Sequence, residues 1–353
     1  MKILIVKTSA LGDIVQAFPV ISYIKKKFPE ATIDWVVEEP FASLVSAHPA
    51  IDHTLIMDTK TWRKGFFSSG NQSKMRQFVK RLRQDNYNVI FDLQGNVKSG
   101  LVTVLARGKA KVGFSRDSVT EWPNVLCTNK RFSTPKGINV RSAYLHLVQN
   151  FFNDFGSVPF VASPAVLKLS ALEQQQLIAL QEDLKKRSKP LVMVCHGSNW
   201  KNKQLTLEAL SEFLHLLQVY LDCDYGFAWG NEIEKGEAES FQKKFNASVL
   251  LPKMSLPILQ HLMADMRLII AMDSLPLHLA ATTSTATFSV FGASLGERYA
   301  PSGGQHHFVQ GSCPYERSFN KRCPILRSCP TGACIRDLSG KHLFKEFIRR
   351  VKV

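Results

Sequence analysis

The chain has 353 residues, which is enough for two domains of ordinary size, and 45% of them are apolar while 21% are charged. This composition excludes an intrinsically disordered protein. The formal net charge of +16 is high for a metabolic enzyme. It indicates an anionic partner, which is a nucleic acid, a membrane surface or a phosphorylated substrate. A charge that serves only solubility is the alternative.

The first half of the sequence alternates short apolar runs with amphipathic segments. Strands are predicted at 2–6, 32–37, 53–57 and 88–92, and helices at 13–28, 41–47, 71–84 and 141–153. Short buried strands separated by helices are typical of a parallel sheet that is covered on both faces. The stretch 157–170, rich in Pro, Val and Ser, predicts a linker.

The second half repeats this alternation after a charged helix predicted at 171–187. Strands are predicted at 191–195, 224–229, 248–251, 267–272 and 286–291, and helices at 206–221, 231–245, 257–265 and 277–283. We therefore expect an α/β protein with two Rossmann-like, doubly wound domains, 1–165 and 166–335, that face each other across a ligand-binding cleft.

The last segment, 336–353, predicts a helix with one apolar face and many basic residues. We expect it to pack back on a domain, with the N-terminal domain as one option. A basic helix that lies on a membrane surface is the alternative.

No secretory signal is recognised at the start of the chain, because Lys7 and Asp13 interrupt the apolar residues there. The uncharged run from Ser274 to Gly296 has the length of a membrane span. Its Pro276 and its many Ser and Thr residues instead favour a helix, a loop and a strand. We expect a cytoplasmic protein that rests on a membrane.

Seven cysteines are present. Cys127, Cys195 and Cys223 are isolated in apolar stretches and are predicted to be buried thiols. The other four crowd into one C-terminal segment, at Cys313, Cys323, Cys329 and Cys334. Their spacing fits no standard zinc ribbon, so no metal is predicted, and a structural metal site remains the alternative. Reduced thiols are favoured over disulfides in a cytosol.

Asp13 lies in the turn between the first predicted strand and the first helix. In an open α/β sheet, ligands bind outside the carboxyl ends of the strands, so this carboxylate is placed for chemistry. The alternative is that Asp13 only caps the N-terminus of the helix.

Basic residues are concentrated in segment 60–83, which holds eight Lys and Arg residues and no acid. Trp62, Phe66 and Phe67 are interleaved with them and are candidates to cover a sugar or a lipid. The basic residues from 74 to 83 fit a solvated helix face. Arg63 and Lys64 fall in a predicted loop instead, and we expect them to bind phosphates or carboxylates.

Polar residues also follow two predicted strands of the second half. Ser198, Asn199 and Lys203 follow the first of these strands and form a candidate diphosphate clamp, with Gly197 allowing close backbone approach. Asp273 stands between another strand and a helix, where it caps the helix or binds a ligand hydroxyl. Neither a Walker loop nor a Gly-x-Gly-x-x-Gly turn follows a predicted strand, which argues against kinases and dehydrogenases.

Seven short motifs occur in order along nearly the whole chain. They are Lys-Thr-Ser-x-x-Gly-Asp at 7–13, Asp-Trp-Val-Val-Glu-Glu at 34–39, Trp-Arg-Lys at 62–64, Gln-Gly-x-Val-Lys-Ser at 94–99, Trp-Gly at 229–230, Leu-Pro-Lys-Met-Ser-Leu at 251–256 and Asp-x-x-x-x-His at 273–278. Each motif is weak alone, but together they resemble the bacterial lipopolysaccharide heptosyltransferases of glycosyltransferase family 9, and most closely the heptosyltransferase I group.

The resemblance implies a GT-B fold, with an N-terminal acceptor domain and a C-terminal nucleotide-sugar domain. It implies an inverting, metal-independent transfer of heptose from ADP-L-glycero-D-manno-heptose to the Kdo region of lipid A, without a cofactor. Asp13 would be the catalytic base, and Lys203 would stabilise the departing ADP. The enzyme would be peripheral on the anionic cytoplasmic face of the inner membrane.

The resemblance also implies two sets of binding residues. The donor would be bound by Ser198, Asn199 and Lys203 at the diphosphate, Glu234 at the ribose, Met254 at the adenine, and Asp273 at the heptose, with Ser274 and His278 beside it. The Kdo acceptor would be lined by Lys7, Arg63, Lys64, Gln94, Lys98 and Arg141.

The sequence departs from the family pattern at three places. The usual Asp-Thr-Gly turn is Asp273-Ser274-Leu275, a pair of threonines is replaced by Ser198-Asn199, and an acceptor-side arginine is Thr120, for which Arg116 is a substitute. One alternative is a sister enzyme of the family that adds a later heptose or another sugar. The other is a non-catalytic basic protein that binds nucleic acid or anionic lipid. The absence of any recognised nucleic-acid module argues against nucleic acid.

Overall fold

The computed structural model describes residues 1–65, 68–155 and 165–351. The chain forms two compact units, Met1–Lys168 and Leu169–Val353. Phe66, Phe67 and most of the predicted linker at 157–170 lie outside the described residues.

The first unit is a six-stranded parallel sheet with helices in the connections. Its elements are β1 (Lys2–Val6), α1 (Leu11–Val15), α2 (Phe18–Lys27), β2 (Thr32–Glu38), a 3₁₀ helix (Glu39–Phe41), α3 (Ala42–Ser46), β3 (His53–Met57), α4 (Thr59–Lys64), α5 (Ser69–Leu82), β4 (Tyr87–Asp92), α6 (Val97–Leu105), β5 (Gly108–Phe114), a 3₁₀ helix (Trp122–Cys127), β6 (Lys130–Phe132) and α7 (Val140–Phe151). The strand order is β3-β2-β1-β4-β5-β6.

The second unit is also a six-stranded parallel sheet. Its elements are α8 (Ala171–Lys185), β7 (Leu191–Cys195), a 3₁₀ helix (Lys201–Lys203), α9 (Leu207–Leu221), β8 (Asp224–Phe227), α10 (Glu232–Lys244), β9 (Val249–Leu250), α11 (Leu256–Ala264), β10 (Leu268–Met272), α12 (Leu275–Ala280), β11 (Thr287–Phe291), α13 (Gly296–Tyr299), β12 (His306–Gln310), α14 (Ala333–Arg336) and α15 (Gly340–Arg350). The strand order is β12-β11-β10-β7-β8-β9.

The two sheets have the same topology when the strands of each unit are counted from its own start. In both, the first strand lies beside the fourth, and the chain winds away from this pair in opposite directions. Such a switch point opens a crevice at the carboxyl ends of the two central strands, which is where doubly wound domains bind ligands. The predicted α/β class with two doubly wound sheets is confirmed.

Every predicted strand is present, but parts of both units were missed. Helix α6 and strands β5, β6 and β12 were not predicted, and the predicted helix 13–28 is divided into α1 and α2. The predicted loop that carries Arg63 and Lys64 is wrong, because both residues lie in the last turn of α4. Asp58 caps this short helix by accepting a hydrogen bond from the Thr61 amide at 3.1 Å.

Helix α15 packs within the second unit. Its Phe347 contacts Phe213 of α9 and Phe288 of β11, with ring centroids 6.2 and 5.2 Å apart. Leu343, Phe347 and Val351 all belong to the core of this unit. Within the second unit, the helix therefore packs on α9.

The uncharged run from Ser274 to Gly296 folds as α12, a loop and β11, as predicted. Among the helices in the described ranges, none combines the length and the apolar character needed to cross a bilayer.

The tight contact between α15 and α9 leads to a stability prediction at Gly340. A β-carbon at this position would lie 2.4 Å from the Phe213 nitrogen and 2.6 Å from the Ala209 carbonyl oxygen, and neither backbone atom can move aside easily. We expect Gly340→Ala to lower the free energy of unfolding by roughly 1–3 kcal/mol. Urea denaturation of the purified variant measures this loss.

Gly236→Ala is the matched control, because Gly236 lies inside α10 and its added β-carbon would meet no atom within 4 Å. This change should stabilise the protein by about 0.5–1 kcal/mol, since alanine favours the helix interior. Equal effects at the two positions would contradict the packing of α15 described above.

Candidate functional site

Lys7 and Asp13 lie together after β1. Lys7 follows the strand directly and is 2% exposed, with its Nζ 5.1 Å from the centroid of the Tyr144 ring. Burial acts to lower the pKa of the Lys7 ammonium, but Tyr144, Asp13 and Asp92 outweigh it, so the pKa is raised above its ordinary value. Asp13 is partly exposed and is the third residue of α1, whose N-cap is Ala10. The site therefore places a carboxylate beside a buried, protonated lysine.

Gln94 joins the two central strands of the first sheet. Its side-chain oxygen accepts hydrogen bonds from the amides of Thr8 and Ser9, each at 3.2 Å. These amides follow β1, whereas Gln94 follows β4, so the bonds cross the switch point. Gln94 thereby links the turns that follow these two strands.

The buried carboxylate of Asp92 at the end of β4 organises the turn that carries Gln94. It accepts hydrogen bonds from the Gln94 and Gly95 amides at 3.0 and 2.9 Å, and from Ser99 Oγ and Asn124 Nδ2 at 2.9 and 2.6 Å. Burial raises the pKa of Asp92 even against these bonds. Its role here is to hold the turn and the start of α6 in place.

Glu38 is a site residue that the sequence analysis did not assign. Its Oε1 lies 2.6 Å from Lys98 Nζ and also accepts a hydrogen bond from the Thr59 hydroxyl, while Oε2 accepts one from the Thr59 amide at 3.1 Å. Glu38 thereby ties Lys98 on α6 to the first residue of α4. Its position at the end of β2 was the signal available in the sequence.

The other predicted acceptor residues follow the edge strands of this sheet. Arg63 and Lys64 are exposed at the end of α4, after β3. Trp62 packs on Phe78, with ring centroids 5.5 Å apart, and against the core of this unit. Arg141, after β6, lies in the first turn of α7, and burial lowers its pKa to about 10. The sheet thus brings Lys7, Gln94 and Lys98 to its central strands, and the remaining basic residues to its edges.

In the second unit, Lys203 and Asp273 form a buried ion pair, with Nζ and Oδ2 2.6 Å apart. The two side chains follow β7 and β10, the central strands of this sheet. Burial alone would raise the pKa of Asp273, but Lys203 and His278, whose Nε2 is 3.9 Å away, bring the pKa below its ordinary value. Lys203 is thus held inside the unit rather than extended into solvent.

The remaining predicted donor residues lie in turns beside this pair. Ser198 and the exposed Asn199 stand in the turn after β7, where the Ser198 carbonyl accepts a hydrogen bond from Gln204 at 2.7 Å. Ser274 is the N-cap residue of α12. Met254 is partly exposed in the loop after β9.

Glu234 lies in the first turn of α10, after β8, and its Oε2 accepts a hydrogen bond from the Gly230 amide at 2.7 Å. A β-carbon on Gly197 would lie only 2.2 Å from the Glu234 carboxyl carbon. Gly197 was expected to let the backbone approach a ligand closely. In the structure, the Glu234 carboxylate occupies the space beside it. The two turns are thereby fixed to each other.

Trp229 and His196 also belong to this edge and were not assigned a role. The Trp229 indole donates to the Leu251 carbonyl at 2.8 Å, and Lys235 and Lys253 lie over its ring. His196 is buried with its Nε2 3.2 Å from Glu237, and burial lowers its pKa, so it is neutral at pH 7. The sequence signal was the position of His196 directly after one predicted strand and of Trp229 at the end of another.

A cavity of about 730 Å³ opens beside the turn after β7. Its wall includes His196, Asn199, Trp200, Lys201, Arg327 and Arg336. The Arg327 guanidinium lies over the Trp200 ring, 4.8 Å from its centroid. Of the predicted donor residues, Asn199 borders this cavity.

The C-terminal cysteine segment is anchored to the same turn. Asn202 Nδ2 donates to the carbonyls of Leu326 and Cys329 at 2.8 and 2.9 Å. Cys313, Cys323, Cys329 and Cys334 line one small apolar cavity. No group of three or more His, Cys, Asp or Glu residues in the described ranges is arranged to hold a metal ion, so the four thiols do not form such a group.

All seven cysteines are free thiols. Cys195 and Cys223 are buried, as predicted. Cys127 was predicted to be buried as well, but it is partly exposed where the 3₁₀ helix Trp122–Cys127 packs on α6.

Comparison with known proteins identifies the family. A family model described as glycosyltransferase family 9 (heptosyltransferase) matches residues 75–327, which is more than half of the chain. The chain belongs to glycosyltransferase family 9. The family recognised from the sequence motifs is therefore confirmed.

Several relatives in this family share most of their length with the chain. Lipopolysaccharide heptosyltransferase 1 of Escherichia coli K12 is 28% identical over 297 residues, which cover 83% of this chain and 88% of the relative. The protein of the same name from Pseudomonas aeruginosa is 26% identical over 83% of this chain and 79% of its own. That from Campylobacter coli is 29% identical over 85% and 86%.

Solved structures share the fold. E. coli heptosyltransferase WaaC with ADP matches with a TM-score of 0.77 and 24% identity over 99% of each chain. E. coli ADP-heptose lps heptosyltransferase II matches with a TM-score of 0.71 and 16% identity over 99% of this chain and 98% of its own. The fold of this family 9 glycosyltransferase is GT-B.

The buried pair between Lys203 and Asp273 leads to a prediction about pH. In the wild type the pKa of Asp273 is lowered, so the stability it contributes is present at neutral pH and is lost as pH falls through that pKa. In Lys203→Met the carboxylate is buried without its main cation, and its pKa should be raised. We expect a loss of roughly 3 kcal/mol at neutral pH, which shrinks on acidification as Asp273 takes up a proton.

Urea denaturation of both proteins at neutral and mildly acidic pH measures this difference. The double variant Lys203→Met/Asp273→Leu is the control, and it should recover most of the loss at neutral pH because no charge is left buried. A single variant with the pH dependence of the wild type would show that the pair is not buried as described.

Proposed function

We propose that this family 9 glycosyltransferase is a lipopolysaccharide core heptosyltransferase, which transfers heptose from ADP-heptose to a Kdo residue of lipid A. The family match over residues 75–327 carries this proposal. Supporting it, the relatives cited above are named lipopolysaccharide heptosyltransferase 1. Solved structures of WaaC are described with ADP and with ADP-2-deoxy-2-fluoro heptose.

In this proposal the second unit binds the donor. Ser198, Asn199 and Lys203 hold the diphosphate, and the lysine ammonium retains N–H donors beyond the one directed at Asp273. Asp273 holds the heptose, with Ser274 and His278 beside it. Glu234 binds the ribose and Met254 lies against the adenine.

Asp13 is the catalytic base of the proposed reaction. It takes the proton of the acceptor hydroxyl while that oxygen forms a bond to the anomeric carbon of heptose. The bond from this carbon to the diphosphate oxygen breaks, and ADP leaves with the electron pair. Because the acceptor oxygen attacks from the face opposite ADP, the configuration at the anomeric carbon is inverted. Lys203 and backbone amides stabilise the charge that grows on ADP, and the step requires no metal.

The first unit binds the acceptor in the same proposal. Lys7 keeps its proton at neutral pH and supplies a fixed positive charge beside Asp13. Lys98, Gln94, Arg63, Lys64 and Arg141 contact the anionic Kdo and the phosphates of lipid A. Such an acceptor places the enzyme at the anionic cytoplasmic face of the inner membrane, which also suits the net charge of +16.

The function is tested by incubating the protein with ADP-heptose and Kdo-lipid A and weighing the lipid by mass spectrometry. We expect one added heptose with the wild type and a loss of at least about 10²-fold in kcat for Asp13→Asn, because an amide cannot accept the proton. The amide keeps the shape of the carboxylate, so circular dichroism should show an unchanged fold.

Two results would contradict these assignments separately. Transfer only to a lipid that already carries heptose would make the protein a sister enzyme that acts later in the core. Near-normal turnover of Asp13→Asn would leave the family assignment standing and remove Asp13 as the base.

Arg63 and Lys64 are predicted to act on the acceptor alone. Their place at the end of α4 is favourable for cations, so stability explains part of their presence. We nevertheless expect Arg63→Ala/Lys64→Ala to raise the KM for Kdo-lipid A roughly tenfold and to leave the KM for ADP-heptose unchanged. Steady-state kinetics against each substrate measures both constants, and the effect should shrink in high salt.

Lys80→Ala/Arg81→Ala is the matched control. These two exposed residues also occupy the last turn of a helix, α5, but that helix leads into the start of β4, away from the carboxyl ends of the strands. The control should leave both KM values unchanged. If the donor KM rises in Arg63→Ala/Lys64→Ala, the assignment of these residues to the acceptor is wrong.

A further inference from the structure

Helix α6 carries an apolar stripe on its exposed side. Val97, Leu101 and Val104 are 51%, 59% and 50% exposed, and their spacing of four and three residues puts them on one face. The opposite face, which includes Ser99, Val102 and Thr103, is buried in the unit, where Val102 belongs to the core. A helix that covers a sheet normally has polar residues on its outer face, so this stripe is not explained by the fold.

The 3₁₀ helix Trp122–Cys127 widens this apolar surface. It lies against α6, because a β-carbon on Gly100 would be 2.8 Å from Cys127 Sγ. Glu121, just before it, accepts a hydrogen bond from the Val97 amide at 2.8 Å. Trp122 and Leu126 are 63% and 76% exposed on this neighbouring element. Five large apolar side chains on two packed elements therefore form one exposed patch, which we call the α6 surface.

A basic recess of about 580 Å³ adjoins the α6 surface at the end of the helix. Its cations are Arg83, Arg107, Lys109 and Lys111, and the residues that line it include no Asp or Glu. Val104 of the apolar stripe also lines the recess. Lys111 Nζ donates to the Val104 carbonyl at 2.8 Å, so a cation and the apolar stripe are in direct contact.

We propose that the α6 surface and its basic recess dock the protein on an anionic lipid bilayer. Tryptophan and aliphatic side chains insert at the boundary between headgroups and acyl chains, while lysine and arginine bind the lipid phosphates. Nucleic acid is bound mainly through its phosphates, which would leave the aliphatic stripe without a partner. Only the biological purpose of this docking, which is to bring the enzyme to a lipid acceptor, rests on the proposed function.

The position of α6 connects this surface to the candidate acceptor residues. The helix begins directly after the turn that carries Gln94, and Lys98 lies in its first turn. Its nine residues span roughly 13 Å, from the carboxyl edge of the sheet to the basic recess at the other end. A bilayer bound along α6 would therefore present lipid headgroups next to the residues proposed to bind Kdo.

Sedimentation with sucrose-loaded vesicles tests the proposal with the full chain. The vesicles are phosphatidylcholine alone, or phosphatidylcholine mixed with phosphatidylglycerol. We expect the wild type to bind the anionic vesicles and both Leu101→Ser/Trp122→Ser and Arg107→Ala/Lys109→Ala to bind them roughly tenfold more weakly. The loss for the basic pair should disappear in high salt, whereas the loss for the apolar pair should persist.

Matched controls come from the second unit. Val219 and Ile233 are 87% and 78% exposed, and Lys243 and Lys244 are exposed on α10. Val219→Ser/Ile233→Ser and Lys243→Ala/Lys244→Ala remove the same kinds of side chain and should bind vesicles like the wild type. Circular dichroism and thermal melting should be the same for all variants, because the changed side chains are exposed.

The outcomes separate this proposal from the proposed function. Vesicle binding that is the same in the α6 variants and the wild type would overturn the docking surface. The docking surface would also be overturned if the wild type formed a dimer that these variants dissociate while they still bind vesicles. The patch would then be a protein interface. Transfer to a deacylated, water-soluble acceptor should be unchanged in the variants. If the protein transferred no heptose but bound vesicles through the α6 surface, only the proposed function would be contradicted.

Discussion

Parallel pairing of every strand is the constraint on which the arrangement of the candidate site depends. In each unit it places the turns after all six strands at one edge of the sheet, and the reversal of winding opens that edge between the first and fourth strands. Polar contacts cross this point in both units: Gln94 binds the amides after β1, and Lys203 binds Asp273. The residues that carry the proposed chemistry are therefore brought together by topology, although they lie far apart in the sequence.

The two units use a buried carboxylate at the same topological position in different ways. Asp92 ends β4 and Asp273 follows β10, and each strand is the fourth of its sheet. The Asp92 carboxylate accepts hydrogen bonds from backbone amides, Ser99 and Asn124, and these bonds fix a turn. Burial raises the pKa of Asp92. Asp273 has Lys203 and His278 as partners, and its pKa is lowered, so it stays ionised. An ionised acid with a paired lysine is suited to bind sugar and phosphate, which supports the proposal of a donor site in the second unit.

Much of this architecture could be predicted from the sequence, because buried parallel strands are short apolar runs between helices. Helix α4 could not, since its six residues show no apolar period and its only signal is Asp58 at the N-cap. Helix α6 was missed for a related reason, because its exposed stripe hides the usual alternation of apolar and polar faces. The candidate site residues were proposed where a motif existed. Their partners were not, because the pairing of Glu38 with Lys98, or of Lys203 with Asp273, depends on which turns the sheet brings together.

Glu38 shows how this pairing shapes the acceptor side. One carboxylate binds Lys98 at the start of α6 and Thr59 at the start of α4, and α4 ends with Arg63 and Lys64. Three of the five cations proposed to bind the acceptor, Lys98, Arg63 and Lys64, are thus held through a single acid at the end of β2. Glu38 forms an ion pair with Lys98, whereas Arg63 and Lys64 are exposed at the end of α4. A site that binds phosphates and carboxylates needs such an excess of cations, held on short helices whose starts are fixed by hydrogen bonds.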